Sequence, residues 1–413
     1  MSKTKIKSIR AQKRWSNHGQ YTVEVEVGLR YGANSRAITP SVEKNLRNTK
    51  DIDFAVAYLN NELNQSLRGI SALNQIEVDQ ILMGVRDTFK THKTIPSVIS
   101  SVSKAVLAAA ADTEKLPLWQ YLGTFLGGSS AEMLPLPSLS AFRNPSQSSK
   151  VSLISEFFLT PVGATSFGEA ILWAELVRQE VSKAETGSLQ DDIVHLDILT
   201  RAIEQAGLQP MQDVAISLTI VPPRPIAPAR YRQNPPQEPV SRDALSGQLV
   251  DWVARYPICS IEDPFASDDF EGFSRLTWAV GKRVQVIGNT LVASNPIPPK
   301  NILSQKAGNA LVIDSNPTRT ISEVKSLASL AAANEFGAII SSGSDGLASA
   351  SGLQFAIGWG IDQIRMTNAV TPFGYTLANE GLRIAEHIAK ISVHQSEVDG
   401  ALPPRKAFPW RLA

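Results

Sequence analysis

Three kinds of chemistry are thinly supplied in this chain: thiols, imidazoles and net charge. Cys259 is the one cysteine among 413 residues, which excludes an internal disulfide. It sits in the apolar run Tyr256-Pro257-Ile258-Cys259-Ser260-Ile261, so a packed thiol in a reducing compartment is expected rather than a nucleophile. Five histidines occur, His18, His92, His195, His387 and His394. None has a second histidine or a cysteine at ligand spacing, so surface or hydrogen-bonded imidazoles are expected and a zinc-type centre is not. Forty basic and 39 acidic side chains leave a net charge of +1. No global field would then gather nucleic acid or an anionic membrane. No apolar run approaches the roughly 18 residues that span a bilayer. The basic stretch Met1-Ser2-Lys3-Thr4-Lys5-Ile6-Lys7 lacks the hydrophobic core of a secretory signal. A cytoplasmic protein with no nucleic-acid or membrane partner is the expectation.

What is present is ordinary globular material, 43% apolar and 19% charged, in a chain long enough for two domains. Tyr21-Thr22-Val23-Glu24-Val25-Glu26-Val27 alternates apolar with polar residues and predicts a half-buried strand. From Asp51 to about Tyr121 the spacing turns helical, and Leu134-Pro135-Leu136-Pro137 then punctuates the chain rigidly. Residues 1–133 therefore read as a small α+β cap and residues 134–413 as a second domain. In the second domain strands and helices alternate. Ser166-Phe167-Gly168-Glu169 is a capping box that opens a helix to about Ser182. Strands are predicted to end near Glu262, Asn289, Asp314, Ser342 and Arg365, at intervals of 27, 25, 28 and 23 residues. Units of that length imply a parallel sheet with right-handed crossovers, and a run of them fits a barrel of about eight strand–helix units with its working face at the strand C-termini. A proline-rich insertion at 222–239, carrying Arg224, Arg230 and Arg232, is expected to be a solvated spacer, with a peptide-docking segment as the alternative.

The stretch Tyr256-Pro257-Ile258-Cys259-Ser260-Ile261-Glu262-Asp263-Pro264-Phe265, followed by Ala266-Ser267-Asp268-Asp269-Phe270-Glu271, resembles the enolase signature, in which a strand ends on Ser-Ile-Glu-Asp-Pro-Phe before an acidic loop. Glu156-Phe157-Phe158-Leu159-Thr160-Pro161-Val162-Gly163-Ala164 resembles a second block of that family. Weaker matches run from Thr22-Val23-Glu24 to Leu382-Arg383-Ile384 in the family's order. The resemblance implies an N-terminal α+β cap on an eight-fold barrel, commonly as a homodimer.

The same resemblance implies magnesium-dependent dehydration of 2-phosphoglycerate, a reaction that needs cations to steady a dianionic intermediate. The family's three metal-binding carboxylates fall on Thr219, Glu262 and Asn289, of which Glu262 alone is still a carboxylate. The base lysine falls on Asp314, and a substrate-gripping lysine on Arg365. Glu156 is a further remnant of the catalytic set. Gln147, Asp263 and Ser342 fall in the substrate pocket, with Gln147 and Ser342 replacing polar partners of the phosphate. The serine loop is shortened at Pro40-Ser41-Val42-Glu43, and the Gly-Asp-Glu-Gly-Gly loop has no counterpart around Gly187 to Ile193. These losses predict an enolase-fold homologue without the parent activity and without a cofactor. It would act as a binding or scaffold protein, a homodimer, or a heterodimer with an enolase. The alternative is a weak phosphopyruvate hydratase, or a lyase with altered substrate, using magnesium, Asp314 or Glu156 as base and Arg365 as an electrostatic clamp.

Overall fold

A computed structural model describes residues 3–16, 19–39, 49–127, 134–143, 152–183, 192–221, 224–232, 239–293, 299–313, 318–342, 346–367 and 372–399. Two compact units divide the chain. One comprises Met1–Glu132, Ile313–Ser329 and Ser342–Gly360, and the other Met133–Val312, Leu330–Ser341 and Ile361–Ala413.

In the first unit the alternating run becomes β2 (Tyr21–Leu29), the centre of an antiparallel sheet with β1 (Ile6–Trp15) and β3 (Asn34–Ile38). Val23, Val25 and Val27 are fully buried, as a period of two demands. The outer edge of β1 is closed by a helix that changes its own pitch. The first helix, α1 (Lys50–Tyr58), passes through a π turn at Leu59–Leu63 into α2 (Asn64–Leu67). Asn60 accepts from Ala11 N at 2.8 Å and donates to Ala11 O at 3.0 Å, while Asn64 accepts from Ile9 N at 2.8 Å. Two side-chain amides thus occupy hydrogen-bonding positions that a further strand would take.

Two longer helices, α3 (Gln75–Thr88) and α4 (Ile95–Glu114), and the short α5 (Leu118–Phe125) follow in this unit. Contrary to the expectation of no such stretch, α4 is long and apolar enough by composition to cross a bilayer, because its serines and alanines carry no charge. In the structure its apolar window is 78% buried, and it packs against β2, β3 and α3 as a core helix. His92 serves its N-terminus, with Nδ1 accepting from Thr94 N at 3.2 Å and Ile95 N at 3.3 Å. On α3, buried Asp79 accepts from Ser103 Oγ at 2.6 Å, Gln75 Nε2 at 2.9 Å, Ser322 N at 2.8 Å and Ser322 Oγ at 2.6 Å. Ser322 lies 243 residues further along the chain, so this carboxylate caps a helix that sequence proximity would never pair with it.

The second unit begins with β4 (Leu136–Arg143), β5 (Ile154–Thr160), α6 (Phe167–Lys183), α7 (Asp192–Gln205) and β6 (Ala215–Ile220). Ser166 caps α6 as predicted, accepting from Glu169 N at 3.1 Å, while Glu169 reaches back to Thr165 N and Oγ1. The chain continues through β7 (Arg224–Ala227), β8 (Arg230–Arg232) and β9 (Val240–Ser241) to α8 (Arg242–Arg255) and β10 (Ile258–Glu262). It goes on through α9 (Phe270–Val280), β11 (Gln285–Ile287), α10 (Asn289–Ala293), α11 (Pro299–Ser304) and β12 (Ala310–Val312). The last elements of the chain are α12 (Ile321–Ala333), β13 (Gly337–Ser342), α13 (Gly346–Trp359), β14 (Gln363–Met366) and α14 (Pro372–Asp399), of which α13 and most of α12 belong to the first unit. Eight strands close a barrel in the order β4, β5, β6, β10, β11, β12, β13, β14.

Two expectations need correction. The barrel is not wholly parallel, since β5 pairs antiparallel with both β4 and β6. The ten residues between Arg143 and Ile154 are too few for a crossover helix, so the chain must return beside itself. The proline-rich stretch, where described, is no solvated spacer. β7, β8 and β9 form a three-stranded sheet pinned by buried Tyr231, whose hydroxyl donates to Asp269.

Asn60→Ala should lower stability by roughly 2–4 kcal/mol, because it strands both the N–H and the carbonyl of Ala11. Asn61→Ala, which loses a bond to Ala57 O on an exposed face, should cost less than about 1 kcal/mol. Urea denaturation of both variants checks the difference, and equal losses would refute the edge-closing role.

Candidate functional site

Strand ends bring four side chains of the second unit into direct contact. Glu262 closes β10, Thr219 is the penultimate residue of β6, Arg365 stands in β14, and Asn289 opens α10 just after β11. The Glu262 carboxylate is 1% exposed and each of its oxygens is engaged. Oε1 accepts from Asn289 Nδ2 at 2.7 Å, and Oε2 accepts from Thr219 Oγ1 at 3.3 Å and is ion-paired with Arg365 Nη1. Arg365 is 7% exposed, and its guanidinium carbon lies 5.0 Å from the centre of the Phe158 ring. A cation over an aromatic face inside a protein gains an attraction that water would otherwise screen.

The inverted strand supplies Glu156. Because β5 runs against its neighbours, Glu156 near its N-terminal end falls opposite Thr219 and Arg143 in register. It is buried, and one oxygen accepts from Ser140 Oγ at 2.7 Å. Asp263, the residue after Glu262, adopts a left-handed backbone with φ 51°, although Pro264 disfavours helical geometry before it. Such strain costs on the order of 1–3 kcal/mol and is held by surrounding bonds. Here they are Thr290 N at 2.9 Å and Thr290 Oγ1 at 2.8 Å, both donating to Asp263 Oδ1. Ser342 closes β13, while Gln147, Asp314, the shortened serine loop and residues 187–191 lie outside the described residues.

Below these groups runs a chain of buried hydroxyls. Ser138 on β4 meets Thr160 on β5 at 2.9 Å, Thr160 meets Ser217 on β6 at 2.8 Å, and Ser217 meets Cys259 Sγ on β10 at 3.3 Å. The Cys259 thiol is a packed group as expected, and burial pushes its pKa up, away from nucleophilic use. Phe158, Thr290, Ser138, Ser140, Thr160 and Ser217 escaped the sequence reading. Stepping by two from Glu156 to Phe158 and Thr160, and from Thr219 to Ser217, would have found three of them.

Magnesium takes hard oxygen donors arranged octahedrally. The described residues do not fit it. Asn289 presents its NH₂, Thr219 its hydroxyl proton and Arg365 its guanidinium to the same carboxylate, so donors surround Glu262 where a metal would need acceptors. No group of three or more His, Cys, Asp or Glu stands at metal-binding spacing among the described residues.

Burial, then the neighbouring Glu262 carboxylate, push the Asp263 carboxyl up to about 7. Its folded value thus lies above the unfolded one, near 3.9. Between them the native state keeps a proton that the unfolded chain has released, so stability falls as pH rises from about 4 to about 7. Asp263→Asn keeps an oxygen for Thr290, tolerates the left-handed backbone and cannot ionise. The variant should be more stable than the parent near pH 8 and lose that advantage near pH 4, by chemical denaturation. Parallel pH profiles for the two proteins would refute this.

Comparison with known families places both parts of the chain in one family. Residues 6–122 match the family model for the enolase N-terminal domain, and residues 131–399 match that for the enolase C-terminal TIM barrel domain. Two models of one family, in order and over nearly the whole chain, agree with an N-terminal unit followed by a closed barrel, and the barrel match includes Glu262. The chain belongs to the enolase family.

Proposed function

We propose that this enolase-family protein is a non-catalytic homologue that acts in the cytosol through binding or assembly. The reading is carried by one observation: the Glu262 carboxylate is saturated by Asn289, Thr219 and Arg365. Removing a proton beside a carboxylate yields a dianion that enolases steady with metal ions. Here the only described cation at that position is an arginine already neutralised by Glu262. A positioned acid or base contributes roughly 10²–10⁴-fold, which does not replace the missing electrostatic stabilisation.

Purified protein, cleared of host enolase, should form no phosphoenolpyruvate from 2-phosphoglycerate above a blank, with or without magnesium. Asp314→Lys alone, and Thr219→Asp with Asn289→Asp, should remain inactive, since groups that work as a unit are not restored singly. Magnesium-dependent turnover by the parent that disappears in Glu262→Ala would sink the reading and favour the lyase alternative.

The assembly proposed is a homodimer, or a heterodimer with a catalytically complete enolase. It rests on the family resemblance, in which Glu24 corresponds to a residue that reaches across the dimer interface. Within this chain Glu24 is ion-paired with Arg14 at 3.2 Å, so a dimer contact would have to compete with or extend that pair. Sedimentation at micromolar concentration should show a dimer of this chain, alone or when mixed with an active enolase. Monomers in both experiments would exclude the assembly.

A further inference from the structure

We propose that the small sheet β7–β8–β9 is a docking surface for an acidic polypeptide segment in extended conformation, independently of whether the barrel catalyses a reaction. The sheet is held still by its underside. Tyr231 is 2% exposed, its ring centre lies 6.2 Å from that of Phe265, and its hydroxyl donates to Asp269. Arg242 grips the same carboxylate, through Nε at 2.9 Å and Nη2 at 2.7 Å. Side chains alternate along a strand, so anchoring Tyr231 inward sends its neighbours outward, and Arg230 and Arg232 are both exposed.

Two sets of arginines stand here in contrast. On the anchoring side, Arg242 pairs with Asp269 and Glu271, and Arg275 with Asp243 and Glu271. On the outer side no carboxylate among the described residues lies within ion-pair distance of Arg230 or Arg232. Arg230 and Arg232, two residues apart on one strand, share that outer face, where like charges repel one another. An anionic partner laid over the strands would reverse the sign of that interaction.

The chemistry favours carboxylates on an extended chain. Guanidinium groups two residues apart on a strand recur at roughly 7 Å, the repeat of alternate side chains in a facing strand. Each planar fork matches a carboxylate with paired hydrogen bonds. Ile226, 44% exposed on β7, offers an apolar contact beside them. Nucleic acid is a poorer match, since duplex binding commonly engages on the order of 6–10 phosphates and this chain has a net charge of only +1.

The test uses the full chain and a fluorescein-labelled peptide of alternating glutamate and isoleucine. A single-stranded oligonucleotide of equal charge is the second probe, and fluorescence anisotropy is read at low and raised salt. The peptide should bind with salt sensitivity, and Arg230→Glu/Arg232→Glu should weaken it roughly tenfold. Arg68→Glu/Lys90→Glu, which reverses two exposed charges on the cap, should leave affinity unchanged. If charge reversal lowers the thermal midpoint, Arg230→Gln/Arg232→Gln supplies the same readout by neutralisation. Absence of peptide binding, equal loss in the cap control, or tighter binding of the oligonucleotide would each overturn the proposal.

Discussion

A carboxylate sealed inside a barrel must find positive charge close by, and at Glu262 that requirement organises the surrounding strand ends. Moving an ion out of water costs several kcal/mol even after relaxation, and removing one partner of a buried pair typically costs about 3–5 kcal/mol. Arg365 meets the need from β14, across the barrel order from β10. Its guanidinium is itself supported by the Phe158 face on β5. Thr219 on β6 and Asn289, just past the end of β11, complete the shell from the two sides of β10. The residues that the family resemblance aligns with metal ligands are therefore joined by direct hydrogen bonds, and the positive charge among them is covalently part of the chain. Asp263, one residue on, is buried as a second carboxyl beside the first, and burial together with that neighbour pushes its own ionisation up.

Much of this was legible in the sequence, for identifiable reasons. The barrel showed in the spacing of Glu262, Asn289, Asp314, Ser342 and Arg365, because a strand and its returning helix need a nearly constant length of chain. Glu262, Thr219 and Asn289 could be assigned to one neighbourhood because the resemblance to enolases aligns all three with one set of metal ligands. The inversion of β5 was hidden because Leu134-Pro135-Leu136-Pro137 read as rigid punctuation rather than the start of β4, so the short link from Arg143 to Ile154, which forbids a crossover helix, went unseen. The Tyr231 anchor was hidden by composition, since prolines on either side suggested solvent and a single alternating triplet, Arg230-Tyr231-Arg232, is too short to signal a strand. The pairing of Asp79 with Ser322 could not be read at all. Capping signals are local in sequence, and this one spans 243 residues.

The hydroxyl chain beneath the site has a bearing on how this barrel changes over generations. Each link from Ser138 through Thr160 and Ser217 to Cys259 joins two groups that can each donate or accept. An isolated buried hydroxyl could be exchanged for a methyl at little cost, but an interior member such as Thr160 leaves two neighbours without partners when it goes. Replacing all four together by apolar groups of similar shape would remove the unmet bonds along with the met ones. Neutral drift at these positions is thus blocked one step at a time and open only to coordinated change. In descendants of this sequence the four should be inherited as a block, kept whole or lost whole, while the strands around them vary singly.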